Sequence, residues 1–147
     1  MTRFRAELTE QLPFPREQVF RLLSDHNRLG ELIGLPVRRI RDSDQADPNG
    51  TGSVRWIGIG PVGIEETIIT FEPDHLIEYT VTSFSAFRNH LGRIRLSETP
   101  DMSTYLHYTV DFDEVIPYSG PTLQAAMQRV LNRGARRLIE RLPETGS

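Results

Sequence analysis

The chain contains no cysteine and no lysine, and all 17 of its basic residues are arginine. Without cysteine, disulfides, thiolate nucleophiles and cysteine-based metal sites are excluded. Without lysine, the chain cannot form a Schiff base with a carbonyl substrate or anchor pyridoxal phosphate. These two absences remove several large classes of enzyme from consideration.

Long apolar runs are also missing. No run approaches the roughly 20 residues that a membrane-spanning helix needs, and residues 1–12 lack the apolar stretch of a secretory signal. The net charge of −3 gives no drive toward nucleic acid or an anionic membrane. We therefore expect a cytoplasmic protein, a monomer or homodimer, without nucleic-acid binding or integral membrane association.

Metal-binding patterns are absent as well. The four histidines form no H-x-H or H-E-x-x-H motif, and the carboxylates are not clustered. His26, His75 and His107 are expected at cap, turn and outer-face positions. We expect no metal and no cofactor.

The composition is that of an ordinary globular chain. With 147 residues, 37% hydrophobic and 25% charged, residues 1–147 are predicted to form a single domain with its own core. Residues 3–12 alternate as a first strand, and two short helices follow, the first starting at Pro15 and the second ending near Gly34. Residues 37–112 are strand-like throughout and contain short breaks rich in Gly, Pro, Asn and Asp, which predicts an antiparallel meander.

The stretch GIGPVG, residues 58–63, satisfies the dinucleotide-binding pattern G-x-G-x-x-G. That pattern is functional only between a strand and a helix, whose amino-terminal amides then face the pyrophosphate. Here the following residues, Ile64 to Phe71, are β-branched and aromatic, and Pro61 removes an amide that a phosphate would need. The stretch is therefore predicted to be the turn of a hairpin.

The last predicted element is a long amphipathic helix over residues 122–142. Its apolar residues recur at helical spacing, from Leu123 through Leu131 to Leu142. Gly134 lies within this apolar stripe, where a glycine marks close backbone approach or room for a bound molecule. A sheet with one apolar face must be covered, and this helix is the only large element available to cover it.

The order of these elements resembles the START-like, helix-grip superfamily. More narrowly, the chain is similar to the polyketide cyclase/dehydrase and lipid-transport family of small bacterial proteins. The segments that carry the resemblance are FPREQVFRLLSD, GTGSVRWIGIGPVGIEETI, FEPDHLIEYTV and RNHLGRIRLSE, followed by the terminal helix. The resemblance implies an α+β fold in which a curved antiparallel sheet of about seven strands wraps around the long carboxy-terminal helix, with two short helices after the first strand. It also implies a cavity for a hydrophobic ligand.

Alternation along the strands sorts side chains between the two faces of the sheet. In NHLGRIRLS, Gly92 and Ile94 are expected to face the helix and to bring His90 inward with them. Because Gly92 has no side chain, free space is expected above it, beside the imidazole of His90. In SVRWIG, Trp56 is expected inward and Arg55 outward.

In the segment GIEETIITF, the alternation allows two assignments of inward and outward side chains, here called phases. One phase, set by Ile69, brings Glu65 inward, and the other, set by Ile68, brings Glu66 inward. The candidate catalytic residues are therefore His90, Glu65 and Glu66, because a histidine beside a carboxylate can serve as general acid or base. The expected ligand contacts share an inward position on the sheet or helix: Trp56, Tyr79, His90, Gly92, Ile94, Tyr108, Val110, Met127 and Leu131.

Three functions fit these expectations. The first is binding of a hydrophobic, lipid- or polyketide-like molecule, as a carrier or sensor. The second is a cyclase or dehydrase that uses His90 and a glutamate on a polyketide-like substrate. The third is a protein-interaction module with a reduced cavity.

Overall fold

A computed structural model describes residues 3–145, with side chains described as far as residue 143. The elements follow in the order β1 (Phe4–Leu12), α1 (Arg16–Ser24), α2 (His26–Ile33), β2 (Val37–Arg41), β3 (Val54–Ile59), β4 (Val62–Glu72), β5 (Leu76–Val81), β6 (Phe87–Glu98), β7 (Thr104–Glu114) and α3 (Gly120–Thr145). None of the described helices is long and apolar enough to cross a membrane.

The strands form one antiparallel, curved sheet in the order β1-β7-β6-β5-β4-β3-β2. Strands β2 to β7 follow one another across the sheet in sequence order. Short connections join β3 to β7, a longer loop of residues 42–53 joins β2 to β3, and β1 pairs with the free edge of β7. The predicted helix-grip architecture is confirmed, with seven strands, two short helices after the first strand and one long terminal helix.

The stretch GIGPVG is the tight connection between β3 and β4. Ile59 pairs with Val62 across the turn, and Gly58 pairs with Gly63. Side chains would not fit this pair, since a Cβ atom on Gly58 would lie 2.1 Å from the carbonyl oxygen of Val62. Gly60 has a φ of +57°, a conformation that glycine adopts without strain. The hairpin prediction is confirmed, and the dinucleotide-binding alternative fails because a strand follows the turn.

Helix α3 is fixed to the sheet at its β1 edge. The Gln128 side chain donates to the carbonyl oxygen of Glu7 and accepts from the Glu7 amide, and Gln124 donates to the carbonyl oxygen of Arg5. These amides satisfy backbone groups that an edge strand would otherwise leave unpaired. Because the helix is fixed at β1, it lies near one edge of the sheet. The β3–β4 hairpin lies toward the opposite edge, away from the helix.

The core fills the space between the sheet, α1, α2 and the carboxy-terminal half of α3. Leu12, Leu22, Leu138 and Leu142 are almost fully buried there. Burying a leucine side chain contributes roughly 1.5–3 kcal/mol, so this cluster is the main source of stability for the helix-on-sheet packing. Along the middle of α3, from Met127 to Leu138, a gap remains between the helix and the sheet.

Candidate functional site

A cavity of about 150 Å³ lies in this gap. Residues of β1, α1, α2, β3 to β7 and α3 line it, and nearly all of their side chains are apolar. Its exposed border includes Leu35, which is 45% exposed, and the partly buried Ile57 and Val130. The mouth therefore lies between the end of α2, the β3–β4 hairpin and the middle of α3.

Gly134 provides part of the free space. A Cβ atom at this position would find only the carbonyl oxygen of Leu32 within 4 Å, at 3.9 Å. Glycine costs roughly 1 kcal/mol relative to alanine inside a helix. Of the two alternatives that the sequence left open for Gly134, close backbone approach or room for a bound molecule, the structure favours the second, because Gly134 lines the cavity with open space beside it.

Four polar side chains form one end of the otherwise apolar lining: Arg55, Glu66, Tyr79 and Tyr108. Arg55 and Glu66 pair directly across β3 and β4, which places both on the concave face of the sheet. The Oε1 atom of Glu66 lies 2.8 Å from Nε and 2.7 Å from Nη2 of Arg55. Both side chains are almost completely buried, at 5% and 7% exposure.

Electrostatics keep this ion pair charged. Burial by itself would lower the pKa of Arg55, but the surrounding groups, of which the Glu66 carboxylate is the foremost, raise the pKa overall. The guanidinium carbon also lies 4.5 Å from the centre of the Tyr79 ring, within cation–π range. The pair thus presents a neutral, polar surface to the cavity.

Tyr79 and Tyr108 meet beside the ion pair through a hydrogen bond between their hydroxyl groups. Burial raises the pKa of Tyr108 to about 12 and that of Tyr79 well above the ordinary value of 10. Both tyrosines are therefore protonated at neutral pH and can donate hydrogen bonds.

Gly92 determines where the Tyr79 ring lies. The two residues are cross-strand partners, and a Cβ atom on Gly92 would fall 2.1 Å from Cζ of Tyr79. The space above Gly92 is therefore filled by the ring.

Replacing Gly92 by Ala should consequently displace Tyr79, break its bond to Tyr108 and lower the free energy of unfolding by about 1–3 kcal/mol, as overpacking typically does. Urea denaturation measures this change. Gly134→Ala is the matched control, because the same methyl group enters open space and should leave the protein equally or more stable. Equal midpoints for Gly92→Ala and the native protein would contradict the contact.

The structure brings some of the predicted ligand contacts together at the cavity and leaves others away from it. The predicted residues that line the cavity are Tyr79, Ile94, Tyr108, Met127 and Leu131, together with the candidate Glu66. The predicted residues that do not line it are Trp56, His90, Gly92, Val110 and the candidate Glu65.

The predicted facing of Arg55 and Trp56 is wrong. Arg55 lines the cavity, whereas Trp56 is on the other face and donates a hydrogen bond to the carbonyl oxygen of Gly60. Hydrophobicity alone favoured Trp56, but Glu66 on the next strand compensates the buried charge of Arg55. The signal was available in the sequence: counting back from the Gly60–Pro61 turn places Arg55 opposite Glu66.

The open choice between Glu65 and Glu66 has a structural cause. Ile68 faces the core and is followed by a β-bulge, so that Phe71 also packs inward against Phe20. The phase of Ile68 is therefore correct before the bulge, and the other phase holds for Phe71 but not for Ile69, which is 46% exposed. Glu66 lies in the phase of Ile68, and Glu65 faces outward, where it accepts a hydrogen bond from Thr82.

His90 is buried, as predicted, but it is separated from the cavity. Its imidazole packs against Tyr79 and Phe87 and accepts a hydrogen bond from the Val81 amide at Nδ1. Burial lowers its pKa, so the ring is neutral. The empty space expected beside it, above Gly92, contains the Tyr79 ring. Val110 is fully buried, and it packs with Ala6 and Leu131.

His26 was expected to be a cap residue, but it is almost completely buried. The cap is Asp25, whose side chain accepts from the Asn27 amide. Nε2 of His26 lies 3.0 Å from Oγ of Ser53, and Nδ1 has no hydrogen-bond partner in the described part of the chain. Burial and the nearby Arg55 lower the pKa of His26 to about 3.

Residues 3–145 contain no group of side chains that is arranged to bind a metal ion. No cluster of three or more His, Asp or Glu side chains is placed there to hold an ion. The groups available at the polar end of the cavity are the hydroxyl groups of two tyrosines and one ion pair, and the rest of the lining is apolar.

Comparisons with known proteins agree with this architecture. Residues 3–145 match the family described as polyketide cyclase / dehydrase and lipid transport. No curated protein is significantly similar in sequence.

Several solved structures share the fold. A START superfamily protein from Mycobacterium smegmatis has a TM-score of 0.79 at 13% identity, over 97% of this chain and 99% of that chain. A protein from Thermus thermophilus has a TM-score of 0.74 at 17% identity, with the same coverage of 97% and 99%. DynU16, a protein in the dynemicin biosynthetic locus, has a TM-score of 0.65 at 15% identity, over 91% of this chain and 46% of that chain. At such identities the likeness establishes the fold alone.

Proposed function

Because the chain belongs to the polyketide cyclase / dehydrase and lipid transport family, we propose that it binds a hydrophobic small molecule in the cavity between sheet and α3, as a carrier or sensor. Family and fold support a role in hydrophobic ligand binding or cyclase-like chemistry in general. The observation that carries the more specific proposal is the apolar cavity with its mouth beside the β3–β4 hairpin. A cavity of this kind, with a few polar groups that converge, is the usual form of a small-molecule site.

The ligand contacts that we propose are Tyr79, Ile94, Tyr108, Met127 and Leu131, all of which line the cavity. A void of about 150 Å³ is comparable to an engineered apolar cavity that accepts benzene. The enclosed part therefore suits one or two rings, or a short alkyl segment, and the mouth lets a larger molecule extend into solvent.

Replacing Gly134 by Leu should strongly weaken ligand binding without loss of stability. The new side chain enters the open space beside α3, and the change from glycine also removes a cost of roughly 1 kcal/mol in a helix. Binding of N-phenyl-1-naphthylamine, a neutral dye whose fluorescence rises in apolar sites, measures the effect. We expect at least a tenfold loss of affinity and an unchanged or higher denaturation midpoint.

Ala125→Leu provides the control, because Ala125 is exposed on the same helix and does not line the cavity. This variant should bind the dye as the native protein does. Dye binding that is equal in Gly134→Leu and Ala125→Leu would show that the dye adheres elsewhere, and the proposal would fail.

A cyclase or dehydrase is the second candidate, since the tyrosine pair and Glu66 could act on a bound carbonyl compound. Two observations favour binding over this alternative. His90 lies outside the lining behind Tyr79, and the Glu66 carboxylate is engaged by Arg55 through Oε1. The proposed acid/base pair of His90 and a glutamate is therefore not assembled around the cavity.

A further inference from the structure

The polar end of the cavity contains an uncommitted hydrogen-bond donor. Tyr79 and Tyr108 have two hydroxyl protons between them, and their mutual hydrogen bond uses only one. Across the described residues, neither hydroxyl has a second hydrogen-bond partner. Tyr79 is 4% exposed and lines the cavity together with Tyr108. One phenolic proton is therefore left for whatever occupies the cavity.

The charges beside this donor balance each other. Arg55 and Glu66 form a buried ion pair at the same end, so the local net charge is zero. A ligand carboxylate placed here would lose its hydration and stand close to the Glu66 carboxylate, whereas a ligand cation would stand close to Arg55. The remaining lining is apolar. This end therefore favours a neutral group that accepts one hydrogen bond.

We propose that the ligand of this cavity carries an uncharged carbonyl oxygen, as in a ketone or quinone, which accepts the free proton of the Tyr79–Tyr108 pair while an apolar body fills the rest of the cavity. The proposal rests on the proposed function, since it names the class of molecule that the cavity binds. The raised pKa values of both tyrosines support it, because the hydroxyls retain their protons at neutral pH.

Three naphthalenes of similar shape test the ligand class: 2-acetylnaphthalene has a ketone, 2-ethylnaphthalene has no oxygen, and 2-naphthoate has a carboxylate. Their dissociation constants are measured by displacement of N-phenyl-1-naphthylamine. We expect the ketone to bind about 3- to 10-fold more tightly than the hydrocarbon, the range that one hydrogen bond contributes. The carboxylate should bind more weakly than both.

The double variant Tyr79→Phe/Tyr108→Phe identifies the donor. It removes both hydroxyls together, so no unpaired hydroxyl remains, and such paired replacements are close to neutral for stability. The hydrocarbon should bind as it does to the native protein, and the preference for the ketone should disappear. A single variant would be ambiguous, because the remaining tyrosine would still have a free proton.

Several results would overturn the proposal. Equal binding of ketone and hydrocarbon to the native protein would show that the tyrosine pair contributes nothing to recognition, while the cavity itself would remain a binding site. A preference for the ketone that persists in the double variant would assign the carbonyl to another donor. Tightest binding of 2-naphthoate would contradict the uncharged class. Displacement by none of the three compounds would remove both this proposal and the proposed function.

Discussion

Replacing Glu66 by Gln should lower the free energy of unfolding by about 3–5 kcal/mol. Arg55 remains charged in this variant, because an arginine guanidinium keeps its proton in proteins at neutral pH even without a carboxylate beside it. Its guanidinium would then be a buried charge without a counter-ion, which is among the largest penalties that a single substitution can cause. Urea denaturation at neutral pH measures the loss.

The chain offers a matched control in Glu78→Gln. Glu78 and Arg93 also pair across neighbouring strands, with 2.7 Å between Oε2 and Nε, but the Arg93 side chain is 43% exposed. Pairs of this kind contribute roughly 0–1 kcal/mol, so this variant should be only slightly destabilised. The double variant Arg55→Leu/Glu66→Leu should recover most of the loss, since both charges are removed together. Equal losses for Glu66→Gln and Glu78→Gln would show that water reaches the Arg55–Glu66 pair freely.

The buried imidazole of His26 should make stability fall as the pH is lowered. Its pKa is about 3 in the folded protein, against an ordinary value of 6.5. A depressed pKa means that the unfolded chain binds the proton first, so the contribution is fully present above pH 6.5 and is lost as the pH falls toward 3. The slope within this window should be about 1.4 kcal/mol for each pH unit.

Comparison of the native protein with His26→Asn isolates this term. The native protein and the variant have the same carboxylates, so acid protonation of these groups cancels in the comparison. The difference between the unfolding free energies of the two proteins should therefore shrink by about 1.4 kcal/mol for each pH unit below about pH 6. His75→Asn is the control, because His75 is exposed in the turn before β5 and its replacement should leave the slope unchanged. If the difference between native protein and His26→Asn is constant with pH, the His26 ring is hydrated or paired in the folded protein.

Local sequence patterns were sufficient for the secondary structure. The 3.6-residue period of α3, the alternation in the strands and the glycine and proline turns each reflect steric rules that act within a few residues. Short turns also determine which strands are neighbours, so the order of β3 to β7 followed from the sequence. The facing of Ile94, Tyr79, Tyr108, Met127 and Leu131 was predictable for the same reason, because apolar periodicity identifies the buried face.

Contacts between distant residues decided the site. Arg55 could be assigned to the inner face only with Glu66 opposite it, because the carboxylate offsets the cost of burying a charge. His90 was expected beside an empty space above Gly92, but a glycine on one strand says nothing about which ring from the next strand fills that space.

The sequence by itself therefore determined the elements, the order of β3 to β7 in the sheet and the apolar side of β5, β6, β7 and α3, because backbone sterics and hydrophobic burial are local or periodic along the chain. Only the tertiary structure decided which polar groups meet inside. The Tyr79–Tyr108 hydrogen bond and the burial of His26 beside Ser53 join residues that are far apart in the sequence. The register of the β3–β4 hairpin places Arg55 opposite Glu66, and tertiary packing then buries the pair. In each case a residue from one element offsets the cost of burying a polar group from another element. Such contacts form only once the chain is packed.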